Sequence, residues 1–174
     1  MQKFIVDLKS EDVTLIENNN LECFVVDSSL GEETISLIHQ KIISQNKILL
    51  IKGNDACLAC KKYNCDGVLI DFSASEHCAK DVNFARKQIG DKILGVISRN
   101  RRHEAMLISE CEPDFVVFKA WEQGIEKVKE LVSWYNEMFL IQSAVVLEDS
   151  IKDIKDFDCD IIIGKSSDYK NFCC

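Results

Sequence analysis

Lys52, Lys119 and Lys165 share one context. Each closes a short apolar run: Ile48-Leu-Leu-Ile-Lys52, Phe115-Val-Val-Phe-Lys119 and Asp160-Ile-Ile-Ile-Gly-Lys165. A cation at the end of a buried run is placed to meet a negatively charged ligand, and three together make an anion cradle. Asp7, Asp27, Asp71, Ser98 and Gln142 close five further runs in the same way. Any residue leaving a buried segment tends to be polar, which accounts for part of this pattern. The lysines are the harder part to explain so. Lys52, Asp71, Lys119 and Gln142 are therefore the candidate ligand-binding residues. Lys165-Ser166-Ser167 is the candidate phosphate site, because hydroxyls and backbone N–H groups there can donate to phosphate oxygens. A polar chain end is the alternative for that tripeptide. Arg99-Asn-Arg-Arg-His103, after the fifth run, either extends the positive mouth or starts a solvated helix. No catalytic residue stands out. His39, His77 and His103 all fall in helical segments.

The cysteines raise a second chemistry. Cys57, Cys60 and Cys65 lie within nine positions. A tetrahedral zinc site needs a second pair of Cys or His at suitable spacing, and none follows. Small apolar packing is the expected role, with no metal bound. Nine cysteines without an export signal indicate free thiols in a reducing cytoplasm. The net charge of −8 and pI of about 4.9 exclude the basic footprint of nucleic-acid or anionic-membrane binding.

Eight such runs must be positioned by one architecture. They are short, apolar and not alternating, as strands buried on both faces are. Helical patterns separate them: 10–17, a capping box Ser29-x-x-Glu32 before Ile35, another at Ser73-x-x-Glu76, then 100–110, 123–137 and 148–156. The seventh strand is expected at Phe139-Leu-Ile-Gln142. A βα period of roughly 20–25 residues repeated eight times predicts an α/β fold, a minimal (β/α)8 TIM-type barrel over a single domain, 1–174. Its last helix is missing from the pattern. Strand outer faces left bare there would need cover. A homodimer is the expected cover, and the alternative is that the tail, 169–172, folds back with the Tyr169 and Phe172 rings as a partial lid.

"KILLIKGNDACLACKKYNCDGVLIDFS", "KILGVIS", "CEPDFVVF" and "CDIIIGKSS" resemble strands three to six and eight of the thiamine phosphate synthases and the related TenI-type thiazole tautomerases. The resemblance spans about Ile48 to Ser167. It implies the barrel, thiamine biosynthesis and a phosphorylated small-molecule ligand, with magnesium as cofactor for an active synthase. The functional motifs depart from that pattern. The family's Asn-Asp-Arg after strand three reads Lys52-Gly53-Asn54, and its glycine pair after strand seven reads Ser143-Ala144. Asp55, Asp71 and Glu76 stand near, but not at, the magnesium-binding positions. The expectation is a divergent member that binds a phosphorylated or anionic molecule without synthase turnover. Two alternatives remain open: an active synthase or tautomerase with a rearranged site, and a non-catalytic interaction scaffold.

Overall fold

The computed structural model describes residues 2–147 and 156–173. Its strands are β1 (Lys3–Leu8), β2 (Cys23–Asp27), β3 (Ile48–Lys52), β4 (Gly67–Asp71), β5 (Ile93–Ile97), β6 (Phe115–Lys119), β7 (Gln142–Val146) and β8 (Ile161–Gly164). They pair in sequence order, all parallel, and β8 pairs with β1 to close the barrel. The helices are α1 (Glu32–Ser44), α2 (Ala56–Tyr63), α3 (Cys78–Ile89), α4 (Arg102–Ser109), α5 (Ile125–Met138) and α6 (Ser166–Cys173). A 3-10 helix, Ser10–Glu17, stands where the first weak helical pattern lay. The helical pattern over 148–156 falls almost wholly outside the described residues. No helix among those described is long and apolar enough to cross a membrane.

Continuous apolar runs suit this fold because each strand is covered twice. Val6, Phe24, Val26, Leu49, Ile51, Val68, Val96, Val116 and Val145 point outward to the helices. Ile5, Val25, Leu50, Leu69, Phe115, Val117, Ala144, Ile161 and Ile163 fill the interior. Helix faces match: α1 buries Ile35, Ile38 and Ile42, and α5 buries Val128, Leu131, Val132 and Tyr135, both at helical spacing. Cys57, Cys60 and Cys65 are buried in the outer core beside α1 and α3, which is the packing role expected of them.

A repeated clamp sets the strand pairs. Asp66, Asp114 and Asp160 immediately precede β4, β6 and β8. Each carboxylate accepts the backbone N–H of the strand before it: Leu49 at 2.8 Å, Leu94 at 2.7 Å and Ser143 at 2.9 Å. Each aspartate's own N–H returns to the carbonyl of the same residue. The aspartate thus pins the start of an even strand to the odd strand beside it.

Four expectations need correction. The seventh strand is Gln142–Val146, three residues later than the apolar run suggested, so Gln142 opens the strand instead of ending it. The Ser29 and Ser73 capping boxes do not form. Asp27 and Asp71 capture the N–H groups of Ser29 and Ser73 first, at 2.9 and 2.8 Å, which turns the chain before either helix begins. The tail takes the alternative course and folds back. In place of a missing last helix it winds into the two-turn α6. Asp168 accepts the Lys165 N–H at 2.8 Å and so closes the helix start. The Tyr169 and Phe172 rings then pack on Phe4, with centroids 5.4 and 5.1 Å away. These rings cover part of the groove on which the expectation of a homodimer rested.

Candidate functional site

Side chains alternate along a strand, so the interior residues dictate what reaches the mouth. Ile5, Val25, Leu50, Leu69, Val117 and Ile163 face in. Two positions on, therefore, Asp7, Asp27, Lys52, Asp71 and Lys119 face in at the strands' C-terminal ends, and Lys165 directly follows the C-terminal end of β8. Lys52, Asp71, Lys119 and Lys165 thus occupy one end of the barrel, as expected. Gln142 is the exception. It lies at the opposite, N-terminal end, because its strand starts there.

The mouth groups are paired with one another. The Lys52 ammonium contacts the Asp7 carboxylate at 2.5 Å. Asp27 sits beside Lys52 in the strand register. Burial pushes the Asp27 carboxyl up, but the Ser29 hydroxyl and N–H and the Lys52 charge outweigh it and hold the group below its ordinary value. Gly53, just past β3, allows this crowding: at φ +123° it approaches Ser28, and a Cβ there would stand 2.2 Å from the hydroxyl.

Across the mouth, Lys119 donates to the Ser73 hydroxyl at 2.6 Å and stands 3.3 Å from Asp71. Burial raises the Asp71 carboxyl. The Ser73 hydrogen bonds and the Lys119 charge reverse that and hold it low. Arg99 donates to the Ser73 carbonyl and pairs with Glu104 at 3.2 Å. Lys119 itself stands on a rigid mount. Asn100, only 4% exposed, accepts the Lys119 N–H at 2.9 Å and donates to the Lys119 carbonyl at 2.7 Å. Asn100 carries no charge and ends no apolar run, so the sequence offered little signal for this role. Its place two residues after Ser98 was the available hint.

At the phosphate candidate, Lys165 precedes α6, and Ser166 and Ser167 form its first turn. The Asp168 carboxylate sits at that same helix start, on the Lys165 N–H. An arriving phosphate would meet this negative charge. The three residues near the resemblance's magnesium positions do not gather. Asp55 accepts from Ser28, Asp71 faces Lys119, and Glu76 is exposed before α3. Among the described residues no group of three or more His, Cys, Asp or Glu is arranged to hold a metal ion. The magnesium requirement of a synthase therefore finds no fitted donor set in these residues.

The site is a ring of matched charges on a rigid barrel. Chemically it can exchange an internal carboxylate for a ligand's anion, with Lys119, Arg99 and Ser73 as the donors on one side. No protein-family model matches the chain, and no curated protein matches it. Solved structures do. Tryptophan synthase from M. tuberculosis is similar at TM-score 0.68 and 11% identity, over 95% of this chain and 83% of that one. A phosphoenolpyruvate phosphomutase from Streptomyces platensis is similar at TM-score 0.68 and 11% identity, over 99% and 79%. A citrate synthase variant follows at TM-score 0.62 and 12% identity, over 99% and 89%. At such identities the likeness shows the TIM-barrel fold alone.

Proposed function

We propose that this barrel binds a small anionic molecule, phosphorylated or carboxylated, at its C-terminal mouth, and that it does so without synthase turnover. The supporting observation is Lys119. Its backbone is clamped by Asn100, its ammonium is turned inward, and its partners Ser73 and Asp71 are groups that a ligand oxyanion could replace or join. Arg99 reaches Ser73 as well and supplies a second donor. A preorganised cation of this kind binds with little reorganisation. The strand resemblance to thiamine phosphate synthases agrees with a phosphorylated ligand. The absence of a fitted magnesium donor set among the described residues, and of the family's glycine pair, weighs against diphosphate departure, which needs a clamp on the developing charge.

A second reading is a non-catalytic scaffold. The internal pairing of Lys52 with Asp7 and of Lys119 with Asp71 favours it, since each ammonium is already satisfied. Calorimetry separates the two. Titrating thiazole phosphate, thiamine phosphate and inorganic phosphate, with and without magnesium, should show magnesium-independent binding that Lys119→Ala abolishes. No heat from any of the three would leave the scaffold. Product from the thiazole and pyrimidine phosphates at around one turnover per second would instead establish the synthase.

A further inference from the structure

The N-terminal end of the barrel carries a feature that the mouth's chemistry does not use. A cavity of about 960 Å³ opens there. Its inner wall is apolar: Ile5, Leu50, Phe115 and Ile161 point inward and are nearly buried, and Cys23, Ile48 and Ile93 present the more accessible surface. The Phe115 ring is part of that lining. That ring lies across Gly95, where a Cβ would stand 2.2 Å from it, so only glycine admits the ring. Burial, with the Asp66 charge, pushes the Cys23 thiol up to about 12, so the wall holds a neutral thiol.

The rim is of another kind. Asn19, Asn20 and Gln142 bring three exposed carboxamides to it. Lys3, Glu22 and Asp114 stand on the same rim, and Asp114 is already engaged by Arg86 and the Leu94 N–H. Charges of both signs therefore meet a ligand's head, and neither a cationic nor an anionic head gains a clear net attraction. Carboxamides donate and accept with equal ease. The size matches the range of about 300–1,000 Å³ that holds drug-sized ligands, which bind mostly apolar walls with a few placed polar groups.

We propose that this cavity is a second binding site, distinct from the mouth, for an uncharged amphiphile: an apolar body against Cys23, Ile48 and Ile93, and a hydroxyl or amide head among Gln142, Asn19 and Asn20. The register of β7 creates it. Starting the strand at Gln142 turns a carboxamide toward the cavity, where a large apolar residue would plug the barrel end.

The test uses the whole 174-residue chain and three probes with the same eight-carbon tail: octanol, nonanoate and octylammonium. Binding is followed by ligand-observed NMR and calorimetry. Octanol should bind at least about fivefold more tightly than either ion. Gln142→Ala, at an exposed position, should weaken octanol by about fivefold, the loss expected for one hydrogen bond. Cys23→Phe should fill the wall and remove binding, and Gln142→Ala keeps the proposal testable if that variant does not fold. Equal binding of all three probes, or octanol binding unchanged in Gln142→Ala, would overturn it.

Discussion

Replacing Asn100 by alanine should unseat Lys119 without touching its charge. The wild-type carboxamide satisfies two backbone groups of Lys119, the N–H at 2.9 Å and the carbonyl at 2.7 Å, at a residue that is 4% exposed. Alanine leaves the Lys119 N–H without its acceptor, while the carbonyl keeps the Glu122 N–H at 3.3 Å. An orphaned buried polar group costs about 1–3 kcal/mol, and one such group predicts a loss of that size. For a chain of this length that lowers Tm by roughly 2–12 °C. Urea unfolding measures the loss directly. The aspartate variant separates geometry from chemistry. Asn100→Asp keeps the acceptor for the Lys119 N–H but turns a carboxylate oxygen on the Lys119 carbonyl. That repulsion favours the protonated acid in the folded state. Its folded pKa is then raised, so stability recovers as pH falls toward that value and is lost again as pH rises through it. The reasoning fails if Asn100→Ala costs under about 1 kcal/mol, or if Asn100→Asp shows no recovery in acid.

Other consequences follow from the same geometry. Asp114→Ala removes the acceptor for Leu94 and the partner of Arg86, both at a half-exposed carboxylate, and should cost about 1–2 kcal/mol by chemical denaturation. Asp27 and Asp71 are held below their ordinary value of 3.8, so their stabilising contribution is present above that value and is lost as pH falls through the lower, folded one. Asp71→Asn should therefore flatten the acid limb of the stability curve, read by thermal melts from pH 6 downward. Truncation before Tyr169 uncovers Phe4, and light scattering at micromolar concentration should then show stronger concentration-dependent association than the 174-residue chain does.

The barrel was legible in the sequence because burial on both faces leaves a simple mark. Runs such as Ile48–Lys52 and Phe115–Lys119 need no alternation, and eight of them separated by helical spacing admit few closed arrangements. The placement of Lys52, Asp71, Lys119 and Lys165 at one end of the barrel was legible too, because each ends or directly follows a strand whose boundary the apolar run marks. Gln142 was misplaced for a related reason. Phe139 and Ile141 are apolar because they pack against the outer core from the approach to β7, and Trp134 and Tyr135 hold Phe139 there by ring contact. An apolar run cannot tell a strand from a buried approach to one. The clamps by Asp66, Asp114 and Asp160 had a visible trace, an aspartate before every second strand from β4 onward, yet their partners lie 17 to 20 residues away. Which cations the mouth leaves available was decided by the tertiary structure alone. Lys52 meets Asp7 across 45 residues, and Lys119 meets Asp71 and Ser73 across a similar span. Composition supplies the charges, but closure of the barrel brings them within hydrogen-bond reach. Coulombic pairing depends on that distance and not on separation along the chain.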